Sequence, residues 1–177
     1  DTNGDDVADV KKPLFRGFIE GNQQHRVNGL RWGYDGWLYV GNGDSGGRIK
    51  SLITGEELNI SGRDLRINPD TGAMETQSGQ TQFGRERDDY GNWFGGNNSN
   101  PLWHYVLDDH YLRRNPYVGT SDVKKQISEQ PGAAPVFPKS KTLARFNDFD
   151  RANRFTSACS PLIYRDNLLG DEYYGNS

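Results

Sequence analysis

The chain has 177 residues, 33% of them hydrophobic and 22 of them glycine, enough for one compact unit with a sizeable core. Lys and Arg number 21 against 24 Asp and Glu, giving a net charge of −3 with no long basic tract, which argues against a nucleic-acid partner. No stretch approaches the ~20 apolar residues that span a bilayer, and the richness in Gly, Asn and Asp favours many short elements joined by turns over long helices.

The opening segment, residues 1–9, spaces oxygen-bearing side chains at Asp1, Asn3, Asp5 and Asp9. That is the spacing of the first half of a calcium loop, in which a coiled backbone turns carboxylates onto a hard cation. Asp6 replaces the glycine of the sharp turn, and Lys12 stands where a bidentate Glu would close the loop. An incomplete or structural calcium site and a merely acidic turn are therefore both expected readings. The chain starts without an initiating Met, so the expectation is a segment of a longer protein. Phe15 to Ile19 form a short apolar element, expected as a strand.

Residues 25–52 carry the clearest grammar. Leu30-Arg31-Trp32 and Trp37-Leu38-Tyr39-Val40 fit two antiparallel strands joined around Tyr34-Asp35-Gly36, and Arg48 to Leu52 alternates like a third. Leu65 to Asn68 leads through Pro69-Asp70-Thr71-Gly72 into Ala73 to Thr76, a second hairpin. Asp35-Gly-Trp-Leu-Tyr-Val and Tyr90-Gly-Asn-Trp-Phe-Gly look like related elements, a weak internal repeat whose spacing suits a propeller blade with enlarged loops. Leu107 to Arg114 crosses the sheet region or makes a short helical turn. Val123 to Gln130 could be one brief helix before Pro131, Pro135 and Pro138, and residues 115–140 read as a long irregular excursion. Strand character returns at residues 155–159 and 162–164, and Tyr174 to Ser177 resembles the turn before a further strand.

The candidate chemistry is sparse. Three histidines, His25, His104 and His110, show no zinc spacing, and the single Cys159 excludes an internal disulfide framework. Ser45-Gly46-Gly47 is no nucleophile elbow, and the glycine clusters lack the context of a phosphate loop. His25, beside Gln23, Gln24 and Arg26 and just before a strand, is expected at a sheet rim, where a general base could work. Arg85 and Arg87 flank Glu86 and could clamp an anion or join a structural ion-pair lattice. Asn97-Asn98-Ser99-Asn100 could line a mouth or simply turn the chain. Trp32, Trp37, Trp93 and Trp103 are read chiefly as packing residues between sheets, and otherwise as a stacking platform for a sugar or cofactor.

The segments NQQHRVNGLRWGYDGWLYVGNGDSGG (22–47), SGRDLRINPDTGAMETQSGQTQFGRERDDYGNWFGGNNSNPLWHYVL (61–107), LRRNP (112–116) and FTSACSPLIYRDNLLG (155–170) resemble the membrane-bound dehydrogenase domain of large exported planctomycete proteins. That domain is related to the soluble quinoprotein glucose/sorbosone dehydrogenase propellers. The opening segment is similar to the family's acidic D-x-D/N-G-D-G-x-A-D stretch, with Asp6 departing from its glycine. The resemblance implies an all-β fold that is part of a β-propeller, about three to four blades of a larger six-bladed domain. It also implies export to the periplasm or cell surface. The remaining blades or other chains of the parent protein would be partners, with a sugar or polyol as substrate.

By the same resemblance, His25 matches the base that takes the sugar hydroxyl proton. Asp44 matches the G-D that enters the central region, and Arg85 or Arg87 the arginine that contacts quinone or substrate. Pyrroloquinoline quinone (PQQ) would be held with calcium; apart from the resemblance, Asn97 and Asn98, in the polar run after Gly95-Gly96, are expected as further cofactor contacts if that run lines a mouth. No C-x-x-C-H occurs in the chain, so no haem is expected by that motif. The rival readings are a non-catalytic propeller module that binds glycan or protein, and a structural piece of a larger assembly.

Overall fold

The computed structural model describes residues 1–115, 117, 119, 123–127, 135–136 and 154–177. In chain order the strands are β1 (Phe15–Phe18), β2 (Asn28–Trp32), β3 (Leu38–Gly41), β4 (Gly47–Ser51), β5 (Glu57–Asn59), β6 (Asp64–Ile67), β7 (Met74–Gln77), β8 (Glu86–Arg87), β9 (Trp93–Gly95), β10 (Trp103–Tyr105) and β11 (Lys124–Gln126). One four-residue helix, α1 (Asp109–Leu112), lies between β10 and β11. They build three antiparallel sheets ordered β1-β4-β5, β2-β3-β6-β7 and β11-β10-β9-β8. The fold is thus all-β, an arrangement of three sheets; the described residues show no closed propeller ring.

Turn chemistry sets the hairpins. Between β2 and β3, Gly36 takes a φ of 76°, the Asp35 carboxylate accepts the Trp37 amide, and the Gly33 amide donates to the Trp37 carbonyl. Between β6 and β7, the Asn68 side chain accepts from the amides of Asp70 and Thr71, and the Gly72 amide returns to the Asn68 carbonyl. Both turns use short polar side chains as local acceptors in place of the lost ladder bonds.

The four-stranded sheet of β2, β3, β6 and β7 has two chemically different faces, because successive side chains of a strand point to opposite sides. Val40, Leu65 and Ile67 enter one cluster with Ile49 and Ile60, flanked by Phe15, Phe18, Leu38, Leu58 and Met74, so this face shares its core with the sheet of β1, β4 and β5. Each fully buried branched side chain there contributes roughly 1.5–3 kcal/mol. The other face presents Tyr39, which joins Trp93, Trp103 and Tyr105 with Trp37 alongside, and so covers the third sheet. Tyr39 and Trp93 stack with ring centroids 4.1 Å apart. Arg66, on the same face, lays its guanidinium 4.6 Å from the Trp37 ring and pairs with Asp35 and Glu75. The tryptophans at 37, 93 and 103 thus pack between sheets, whereas Trp32 is half exposed.

Several expectations change. The expected strand at Arg48 to Leu52 forms, as β4; because β3 already has β2 and β6 on its two edges, β4 pairs with β1 and β5 in another sheet. The region after Val123 is strand and not helix over Lys124–Gln126, paired to β10; an eight-residue helix cannot recover its nucleation cost when an open edge is at hand. Residues 128–130 of that expected helix, and most of the 115–140 excursion, lie outside the described residues. Residues 155–159 and 162–164 are not strands. Ala158 and Ile163 are buried there, the Ala158 amide donates to the Asn98 carbonyl, and Tyr164 exchanges backbone bonds with Gly175 and Asn176. Leu107 to Arg114 does contain the short helical turn, α1.

Candidate functional site

His25 ends a single 3-10 turn, Gln23–His25, started by Asn22, whose side chain accepts the Gln24 amide. The loop after β3 comes to meet it: the Ser45 amide donates to the His25 carbonyl at 3.0 Å. Gly43 makes the approach possible. Its φ is 70°, and a Cβ there would lie 1.9 Å from the Arg26 carbonyl oxygen, so no other residue fits without moving the turn. Asp44 follows at a φ of 73°, one of two non-glycine residues with positive φ among the described residues. Asp tolerates this left-handed region better than most residues, at a cost of order 1 kcal/mol or more.

The outcome is a short relay. Asp44 Oδ2 lies 3.2 Å from His25 Nδ1, and Asp44 Oδ1 accepts from the side-chain Nε2 of Gln80 at 2.8 Å. The side chains of His25 and Asp44 are 32% and 38% exposed, at a rim in contact with water. The contact is one of ion-pair distance; in the neutral imidazole a carboxylate beside Nδ1 favours the proton on that nitrogen and leaves Nε2 as an acceptor, which a general base could use. The next residue, Arg26, lines an apolar groove of about 320 Å³ with Phe18, Val27, Leu30 and Ile67.

Behind this rim lies a buried polar centre. Asp64 accepts the amides of Asn42 and Thr81, each at 2.8 Å, and its Oδ2 takes the Arg85 Nε at 2.6 Å. The Arg85 guanidinium also donates to the Ser78 carbonyl and sits 3.8 Å from the centre of the Tyr105 ring. Asn42 precedes the Gly43-Asp44 step and Thr81 follows Gln80, so one carboxylate pins the roots of both loops that hold the relay. The Gly43 amide adds a bond to the Thr81 carbonyl at 2.9 Å.

Arg85 and Arg87 therefore do not join His25 in one pocket. Arg85 is shut in by Asp64, and Arg87 donates to the Trp32 carbonyl and lies 3.5 Å over the Tyr34 ring. Asn97 accepts from the Ser99 and Asn100 amides, and Asn98 bonds through its backbone to Gln82 and Ala158, so both organise a turn.

The calcium expectation is overturned, and the calcium-held PQQ with it: among the described residues no group of three or more His, Cys, Asp or Glu side chains is placed to hold a metal ion. The reason is local at the chain start. Asp1 spends its oxygens on the amides of Gly4, Asp5 and Asp6, and Asn3 accepts the Asp5 amide. Asp5 accepts from Val7 and from Asn3, and Asp9 from both the amide and hydroxyl of Thr2. The Thr2 bonds hold the Asp9 carboxyl below its ordinary range. The residues Asp1, Asn3, Asp5 and Asp9 thus make a self-bonded acidic turn.

A family model described as a domain of unknown function, DUF7133, matches residues 1–177. The chain belongs to this family. No curated protein and no solved structure shows a significant match to it.

Two residues of the DUF7133 site escaped sequence reasoning. Gln80 is 36 positions from Asp44 and carries no local signal. Asp64 did carry one. It stands on the polar side of an alternating Asp-Leu-Arg-Ile strand whose other side is wholly aliphatic, which marks a face covered by something other than a hydrocarbon core.

Proposed function

We propose that this DUF7133 chain supplies the proton-abstracting part of an exported enzyme acting on the hydroxyl of a sugar or polyol, with His25 as general base. The observation that carries the reading is the Asp44–His25 contact of 3.2 Å, formed by a residue held in left-handed backbone and steadied by Gln80. Strained backbone at a polar rim is a reason to look for chemistry there. His25 Nε2 would take the hydroxyl proton, while Asp44 holds the ring in the donating tautomer at Nδ1 and stabilises the imidazolium that forms. In a dehydrogenase of the kind the sequence resembles, hydride leaves the same carbon for a two-electron acceptor. Only the proton half of that reaction is assigned to residues of this chain.

The larger architecture and location belong to the same proposal. Three sheets with short hairpins fit part of a β-propeller, and the exposed Leu30 and Trp32 on the edge strand β2 would be covered by neighbouring blades or other chains of the parent. Export rests on the sequence resemblance. No helix among the described residues is long and apolar enough to cross a membrane.

The test is dye-linked oxidation of a sugar and polyol panel by the full-length protein carrying this chain, with His25→Gln and Asp44→Asn variants. The expected loss is about 10²-fold or more for His25→Gln, with unchanged circular dichroism. Substrate turnover that survives His25→Gln undiminished would sink the assignment.

A further inference from the structure

The two ends of β3 carry different chemistry. Asp44 and the relay follow its exit, whereas a second feature surrounds its entry at Gly33 to Asp35. A cleft of about 160 Å³ opens there between the second and third sheets, and a cleft of about 200 Å³, lined by residues around β9, β10 and α1, adjoins it through the shared Gly91, Trp93 and Asp108, so the pair makes one trough. Together they fall at the lower end of the size range of small-ligand sites.

Its composition is aromatic below and polar at the rim. Tyr39 and Trp93, stacked on each other, reach its floor; Tyr34 and Tyr111 stand at its sides, 65% and 58% exposed. Tyr90, next to the shared Gly91, is 92% exposed. Tyr34 is not a loose surface ring. The Arg87 guanidinium covers one of its faces at 3.5 Å and is itself fixed by a 2.8 Å bond to the Trp32 carbonyl. A tyrosine held in this way offers a flat, rigid contact surface at low entropic cost on binding. Asp108 precedes α1 but does not spend its side chain on capping it, and Asp35 and Asn92 add further polar atoms along the rim.

We propose that this trough is a binding site for a neutral saccharide chain, separate from the His25 relay. Pyranose rings present apolar C–H faces that lie on aromatic rings and hydroxyls that donate to carboxylates, and the trough offers both within one stretch. Arg87 lines the trough but is engaged with the Trp32 carbonyl and the Tyr34 ring, so a phosphorylated or nucleic-acid ligand would meet the exposed Asp108 and a chain of net charge −3. A purely apolar ligand would desolvate the exposed Asp108 carboxylate without offering it a hydrogen bond. The proposal does not depend on the proposed activity, since none of its residues belongs to the relay.

The experiment is a titration of the chain with cellopentaose, xylopentaose and mannopentaose, with oligogalacturonate as the charged control. It is followed by tryptophan fluorescence and by amide shifts in two-dimensional NMR. The expected result is saturable binding of at least one neutral pentasaccharide, with shifts gathered at Tyr34, Gly91, Asn92 and Asp108. Tyr34→Ala should weaken it about tenfold or more, Tyr34→Phe should retain it, and Asp108→Ala, at an exposed position, provides a second reading if Tyr34→Ala folds poorly. No saturable binding of any neutral probe up to ~10 mM, binding of oligogalacturonate alone, or binding indifferent to both Tyr34→Ala and Asp108→Ala would each overturn the proposal.

Discussion

Arg85 Nε and Asp64 Oδ2 meet at 2.6 Å with side chains 2% and 0% exposed, an ion pair withdrawn from water between two sheets. Such a pair contributes little compared with well-packed hydrocarbon, yet breaking it by removing one partner costs ~3–5 kcal/mol because a bare charge stays behind. Asp64→Asn and Arg85→Met should therefore each lower stability by that order in urea melts. A double variant that costs less than the two single losses summed would show the coupling. Full additivity would mean the pair is not what holds the loops.

Gly43 gives a sharper local prediction. Gly43→Ala drives a methyl into the Arg26 carbonyl, so the loop must back away from the turn that carries His25. The expected cost is about 1–3 kcal/mol. The amide signals of Ser45 and His25 should shift together, since one donates to the carbonyl of the other. A spectrum altered only at residues 42–44 would contradict the described contact.

Burial pushes the Tyr39 phenol up to about 12, against the pull of the Arg66 guanidinium that bonds to it. The folded-state value lies above the unfolded value near 10. The stabilisation is therefore whole below pH 10 and drains away as pH rises to about 12. Melting midpoints recorded through that window should fall more steeply for the wild type than for Tyr39→Phe, which has no proton to lose. Parallel slopes would remove Tyr39 as the source.

The acidic turn at residues 1–9 is bonded to itself, so calcium should have nothing to add. Thermal unfolding in millimolar calcium and in chelator is expected to coincide. A midpoint raised by calcium and lowered by chelator would reinstate a cation site there.

How much of this was written in the chain depends on how locally it was encoded. The hairpins at Tyr34-Asp35-Gly36 and at Pro69 to Gly72 were legible because each turn supplies its own acceptors and left-handed glycine. His25 and Asp44 were both singled out, and they lie side by side. What could not be read was partnership at a distance: Gln80 on Asp44, or Arg85 turned inward onto Asp64 and away from any ligand. The acidic start misled for a related reason. Residue spacing shows which oxygens are available, but whether they face a cation or the neighbouring amides is decided by the backbone path.

The two-faced central sheet limits how this domain can change in length. Leu38, Val40, Leu65 and Ile67 look one way and Tyr39 and Arg66 the other, so inserting or deleting a single residue in β3 would turn Leu38, Tyr39 and Val40 to the wrong faces. A tyrosine would then point into the aliphatic layer while leucine and valine met the face that carries Arg66 and the buried carboxylate of Asp64. Length variation inside β3 and β6 should therefore be confined to pairs of residues, with single-residue changes left to the turns.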